Sequence, residues 1–157
     1  MIDLVQYHDP SDNHDWTLAF DRAVSAATPK GESIRFPAGW LTFKSRPKPM
    51  GCGITLVGES GITSAKLGTC CVVEYQENDP EAGFFTWDGS DPRGYKGTGG
   101  GICYMSLYRI GGASGGTSIK LVCVDDARHR AGWWSLSNVA VLAEDGSAWD
   151  KVFLADG

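Results

Sequence analysis

Apolar residues near the start of the chain keep a helical rhythm that never returns later. Trp16, Ala19, Phe20, Ala23, Val24 and Ala27 recur at three- and four-residue steps, which gathers them on one face of a helix. Asp15 precedes them and can accept from the unpaired N–H groups of the first turn. Thr28-Pro29-Lys30-Gly31 closes the segment, because Pro cannot continue a helix. A helix of about 13 residues is only marginally stable alone in water, so this one must dock its apolar face on something.

After Gly31 the pattern is that of short strands. Ser33-Ile34-Arg35-Phe36 runs into the turn Pro37-Ala38-Gly39, and Trp40-Leu41-Thr42-Phe43 follows. Further apolar runs begin at Ile54, Cys70, Phe84, Ile102, Ser118, Trp133 and Lys151, and three of the seven stop at Gly or Asp. Their spacing drifts from about ten to more than twenty residues. Sandwiches and small barrels favour evenly spaced hairpins. A parallel solenoid tolerates uneven spacing, because insertions leave the coil without disturbing the stack, and these runs make about four or five coils. The open end of a solenoid exposes apolar surface and strand edges. An amphipathic helix just before the first strand is a natural lid, worth on the order of 5–10 kcal/mol as an upper bound. Trp16, Phe20 and Val24 are expected to point onto the first coil near Ile34 and Phe36.

The helix and first strands carry a family pattern. Asp15-Trp16-Thr17-Leu18-Ala19-Phe20, then Ile34-Arg35-Phe36-Pro37-Ala38-Gly39, then Ile54-Thr55-Leu56-Val57-Gly58 resembles the entry of pectate-lyase-superfamily β-helices. The match spans residues 15–60. The family's Asp-Phe-Gly-Ala and Asp-Gly-x-x-Asp-Asp elements are replaced by His8-Asp9-Pro10-Ser11-Asp12-Asn13-His14-Asp15. The resemblance implies an all-β chain: a right-handed parallel β-helix with an N-terminal capping α-helix. It divides the chain into an entry segment (1–14), the capping helix (15–30) and the coils (31–157). The chain stops on Ala155-Asp156-Gly157, just past a strand, which reads as truncation.

Composition narrows the function. The 157 residues are 42% hydrophobic and 21% charged, as in a folded domain, and 21 glycines suit many tight turns. A net charge of −5 without a basic stripe excludes a duplex-binding protein and leaves nucleic acid off the list of partners. The basic run Lys44 to Lys48, interrupted by Pro47, reads as a solvated loop. No signal-peptide pattern and no apolar run of ~20 residues is present, so membrane insertion is not expected. Cys52, Cys70, Cys71, Cys103 and Cys123 are odd in number and lack metal-site spacing. Reduced, buried thiols are expected, with no metal and no cofactor.

Within the family, signal-less chains of this kind resemble phage tailspikes and capsule depolymerases. That resemblance implies a homotrimer in the virion tail, made in the host cytoplasm, which recognises bacterial surface polysaccharide and in full length degrades it. Two other readings stay open: a monomeric, signal-less β-helical polysaccharide lyase or glycoside hydrolase, cytoplasmic by location, and a non-catalytic capping segment that nucleates a trimer.

Glycoside hydrolysis needs two carboxyl groups about 5–10 Å apart. Asp125 and Asp126, with Glu144 and its neighbour Asp145, lie at strand ends from which stacked coils could pair them. Each is equally a turn former. Arg128, in Arg128-His129-Arg130, could hold an acidic sugar. Trp87, Tyr95, Tyr104, Tyr108, Trp133, Trp134 and Trp149 exceed what narrow coils are expected to bury. Trp87, Tyr104, Trp133 and Trp134 are therefore candidates for stacking on sugars, in competition with packing between chains. Gly111 to Ser118 has Thr117 where a phosphate loop needs Lys, and three histidines, two of them in the N-terminal tail, offer no credible triad.

Overall fold

The structure, a computed structural model, describes residues 1–51, 53–59, 71–76, 83–89, 99–122 and 134–156. Among these residues one α-helix, α1 (Trp16–Ala27), is joined by ten strands: β1 (Ile2–Asp3), β2 (Ile34–Phe36), β3 (Gly39–Phe43), β4 (Thr55–Gly58), β5 (Cys71–Tyr75), β6 (Gly83–Asp88), β7 (Gly100–Arg109), β8 (Thr117–Val122), β9 (Trp134–Ala143) and β10 (Lys151–Asp156). Among the described residues, every strand pairing is parallel. Parallel neighbours cannot be joined by hairpins, so each strand must travel around the molecule to reach its partner.

The pairings show how it travels. β1, β2, β4 and the first half of β7 lie side by side, and β3, β5 and the second half of β7 do the same. β9 pairs with β7 along both halves. β6, β8 and β10 form a separate three-stranded sheet. The chain thus visits three faces in a fixed order, β4–β5–β6, then the two halves of β7 and β8, then the two halves of β9 and β10. The result is a strand-rich, curled parallel architecture with one short helix, compatible with a β-helix-like solenoid.

Register makes the regularity explicit. Val72 pairs with Ser106, Gly83 with Thr117, Gly100 with Trp134 and Thr117 with Lys151, each 34 positions apart. Earlier turns are less even. Ile34 and Leu56 are 22 apart, Trp40 and Val72 are 32, and Thr55 and Gly101 are 46. Insertions between faces absorb the difference without moving the strands.

β7 and β9 bend from one face to the next at Tyr104 (φ 58°) and Asn138 (φ 53°). Both are left-handed, and the flanking pairs Cys103–Ser137 and Met105–Val139 place one bend beneath the other. Gly58 occupies the same corner in the turn before. A Cβ on Gly58 would collide with the Tyr104 carbonyl, so glycine lets two corners stack closely.

The core is unusually aromatic. Phe20 of α1 packs 5.8 Å from both Phe36 and Phe43 and 5.3 Å from Phe85. Tyr75 stacks on Phe84 at 4.4 Å. Below Tyr75, its register partner Arg109 is fully buried, with its guanidinium 4.7 Å from the Tyr75 ring and 4.6 Å from Trp149. A planar, weakly hydrated cation between two rings is the form in which Arg tolerates such burial.

Asp15 caps α1 by accepting from the Thr17 amide at 2.9 Å and the Thr17 hydroxyl at 2.6 Å. Ala19, Phe20, Ala23, Val24 and Ala27 are buried beneath the helix. Trp16 is only half-buried, because it turns toward the entry segment and sits 4.2 Å from the His8 ring. A short 3-10 turn, Thr28–Lys30, then leads to Gly31 in a left-handed conformation.

The entry segment, irregular by its sequence, is built. β1 adds a strand beside β2, Leu4 is fully buried, and Asp9 and Asp12 form a reciprocal capping box. Arg22 of α1 reaches back to both carboxylate oxygens of Asp12, at 2.7 and 3.2 Å, and Arg35 pairs with Asp3.

Candidate functional site

Alternation along β3 sends Leu41 and Phe43 inward and Trp40 and Thr42 outward. In the same way Glu74 points out from β5 and Tyr108 from β7. Register then makes columns on the outside of this face: Thr42, Glu74, Tyr108 and Leu142 in one, and Trp40, Val72, Ser106 and Ala140 beside it. Trp40 and Tyr108 meet edge to face at 5.9 Å across these columns. Trp40 keeps 39% of its surface exposed. On β5, the strand between theirs, the Glu74 carboxylate accepts from the Thr42 hydroxyl at 2.8 Å. The arrangement offers a ring face for C–H stacking beside a fixed carboxylate that can accept from a hydroxyl, the two contacts a sugar ring asks for. Tyr104, 44% exposed at the corner where this face begins, adds a second accessible ring.

The other expected residues are placed differently. Trp87 is 2% exposed, and its Nε1 donates to the Ile54 carbonyl at 2.9 Å, so it offers no face to a sugar. Trp134 points inward and packs edge-on against Trp87 at 5.3 Å and against Phe153 at 5.4 Å. Trp149 is half-buried over Arg109 and donates to the Leu142 carbonyl at 3.0 Å. Trp87, Trp134 and Trp149 pack inward for a physical reason. In-register stacking lets rings of successive turns lie against each other, and the helix contributes Phe20 at the end of the stack.

Glu144 accepts from the Gly111 amide, and its own amide donates to the Arg109 carbonyl at 3.0 Å. It ties the turn after β9 to the turn after β7, the work of a turn residue, and its neighbour Asp145 is exposed in the same turn. Gly111 and Gly112 are left-handed turn residues, and the next element after them is the strand β8. Asp125, Asp126, Arg128, Trp133 and Tyr95 lie outside the described residues, as do Cys52, Cys70 and Cys123. Cys71 is buried; Cys103 is partly buried, lies 3.7 Å from the Leu56 carbonyl, and has its pKa pushed up by burial. Among the described residues no group of three or more His, Cys, Asp or Glu could hold a metal, and no helix is long and apolar enough to cross a membrane.

Sequence reasoning passed over Trp40 as one more apolar strand residue. The available signal was its parity: Leu41 and Phe43 claim the inside, so Trp40 must face out. No protein-family model, no curated protein and no solved structure matches the chain.

Proposed function

We propose that the chain is the helix-capped part of a right-handed parallel β-helix of the pectate-lyase-like, phage-tailspike kind, which assembles as a homotrimer and recognises bacterial surface polysaccharide. The observation that carries the binding half of this reading is the outward-facing pair of Trp40 and Tyr108, with Glu74 on the strand between theirs. Flat parallel faces repeat the same outward spacing at every turn, which suits a polymer whose sugars repeat as well. The entry motif at residues 15–60 and the helix over the first turn support the family reading. Recognition is favoured over cleavage within the described residues, because Glu144 is engaged in joining two turns.

Two measurements test this proposal. The solution mass from light scattering is expected to be three times 16.8 kDa. A stable monomer contradicts the trimer. Binding to a panel of bacterial surface polysaccharides is expected to weaken roughly tenfold in Trp40→Ala, the loss of one stacking contact. Its thermal unfolding should stay close to that of the parent chain, because Trp40 lies outside the core. Polysaccharide binding that is unchanged in Trp40→Ala would rule this face out.

A further inference from the structure

The run Lys44 to Lys48 has exposed side chains, but its backbone is tied down. Both ends of the stretch are set in the core, since Phe43 and Met50 are fully buried. Met50 also bridges to β6 beside Trp87: its amide donates to the Thr86 carbonyl and its carbonyl accepts from the Asp88 amide, both at 2.8 Å. Between these two anchors the chain runs along α1, and three of its amides find acceptors there. Lys44 donates to the Asp15 carboxylate at 3.2 Å, Ser45 to the Thr17 hydroxyl at 3.4 Å and Lys48 to the Asp21 carboxylate at 2.7 Å.

All three acceptors are side chains. The carbonyls of a β ladder do not titrate, whereas two of these three groups do. Pro47 and Pro49 fix their own φ and restrict Arg46 and Lys48 before them, so the middle of the stretch is stiff and moves as one piece. A stiff segment held by hydrogen bonds near the surface opens at lower cost than the sheet on either side of it.

We infer that residues 44–49 form a strap across α1 that opens as a unit between its two buried anchors, with Asp21 as a latch that protons hold shut. Asp21 is half-buried where Lys48 meets the helix. Burial raises its pKa above the usual 3.8; the Lys48 amide and ammonium pull it back down, and Asp15 pushes it up. Of the other charges close by, Arg22 turns to Asp12 and the Lys44 ammonium to the Asn13 carbonyl. Opening the strap hydrates Asp21 and returns it toward 3.8, so the closed form binds more protons between 3.8 and the raised value. The latch contribution is therefore complete below 3.8 and is lost as pH rises through the raised value. Asp3 and Asp12, both held below 3.8, keep their charge through that window, so the entry segment stays in place while the latch titrates.

Amide hydrogen exchange, followed by NMR on the full chain, tests the strap and the latch separately. Protection of the Lys44, Ser45 and Lys48 amides, corrected for intrinsic exchange, should rise together in the parent chain as pH falls from about 7 to about 4.5. Asp21→Ala should lower all three by roughly tenfold, the loss of one hydrogen bond to a charged acceptor. The Met50 and Asp88 amides and those within α1 should keep their protection. Asp21→Asn retains an acceptor without the charge; it should keep the protection and abolish its dependence on pH. Far-UV circular dichroism matched to the parent shows that both variants fold. A loss confined to Lys48 in Asp21→Ala overturns the unit, and a loss that spreads through α1 and β6 overturns the strap as a separate element. Protection in the parent that is flat or falls in acid overturns the latch.

Discussion

Phe20 joins the helix to the strands more than any other side chain, since its ring meets Phe36, Phe43 and Phe85 at once. Truncation to Ala leaves a cavity that neighbours on three strands cannot close together. Phe20→Ala should therefore cost about 3–5 kcal/mol in denaturant unfolding. Tyr104 makes a different demand, on the backbone rather than on the core. A bulky residue at φ 58° carries strain that Asn relieves and a β-branched residue worsens. Tyr104→Asn is expected to leave stability within about 1 kcal/mol of the parent, and Tyr104→Val to cost about 1–2 kcal/mol by the same measurement. Equal effects would mean that the bend does not need a left-handed residue. Charge at this scale tells on pH. The Arg22 guanidinium holds Asp12 below its usual 3.8, and Arg35 does the same for Asp3. A lowered carboxyl contributes its full stability above 3.8 and loses it as pH falls through the lowered value. Asp21 runs the other way, raised chiefly by burial, so protonation relieves it. The entry segment should consequently loosen in acid while the Asp21 contact with the Lys48 loop is less penalised. Asp12→Asn should flatten the acid limb of a stability–pH curve; an unaltered limb would assign it to other groups.

At the scale of elements, the sequence was most legible where local chemistry decides alone. The helix follows from the spacing of Trp16 to Ala27, and its cap from Asp15, because both depend on neighbours within one turn. Most strand positions were legible to within a residue or two from the apolar runs. The entry segment was not. Its structure comes from Asp9, Asp12 and Arg22 bonding across ten residues and from β1 borrowing an edge of β2, and neither leaves an apolar period. The 34-residue register was hidden for a related reason. It holds throughout between the last two turns, while earlier turns differ through insertions, so no repeat accumulates along the chain. Arg109 was equally invisible, since a buried cation between Tyr75 and Trp149 is a property of stacked turns. For the candidate site the same division holds. Trp40 was findable by alternation, but Trp87 and Trp134 read as surface rings until stacking showed where they pack.

For the whole molecule, one end and one side differ. The first turn lies beneath α1, and the last presents Leu136, Leu142, Val152 and Phe153 substantially exposed. Between the ends, the faces carry different chemistries: rings and a carboxylate outside β3, β5 and β7, and Thr86, Asp88 and Lys120 outside β6 and β8. A parallel coil produces this separation without further design, because each face repeats its own residues from turn to turn. Function then follows from which columns are polar, which are aromatic, and how rigidly loops such as Lys44 to Met50 are tied down.

The core and its outward columns depend on parallel turns stacked in register, and backbone NMR reads that register directly. In the isotope-labelled chain, cross-strand contacts between amide and α protons should link Phe85 to Ile119 and Ile119 to Phe153, in steps of 34 residues, all in the parallel pattern. Antiparallel contacts joining strands adjacent in sequence, such as β9 with β10 or β7 with β8, would contradict the coil and the placement of the candidate face with it.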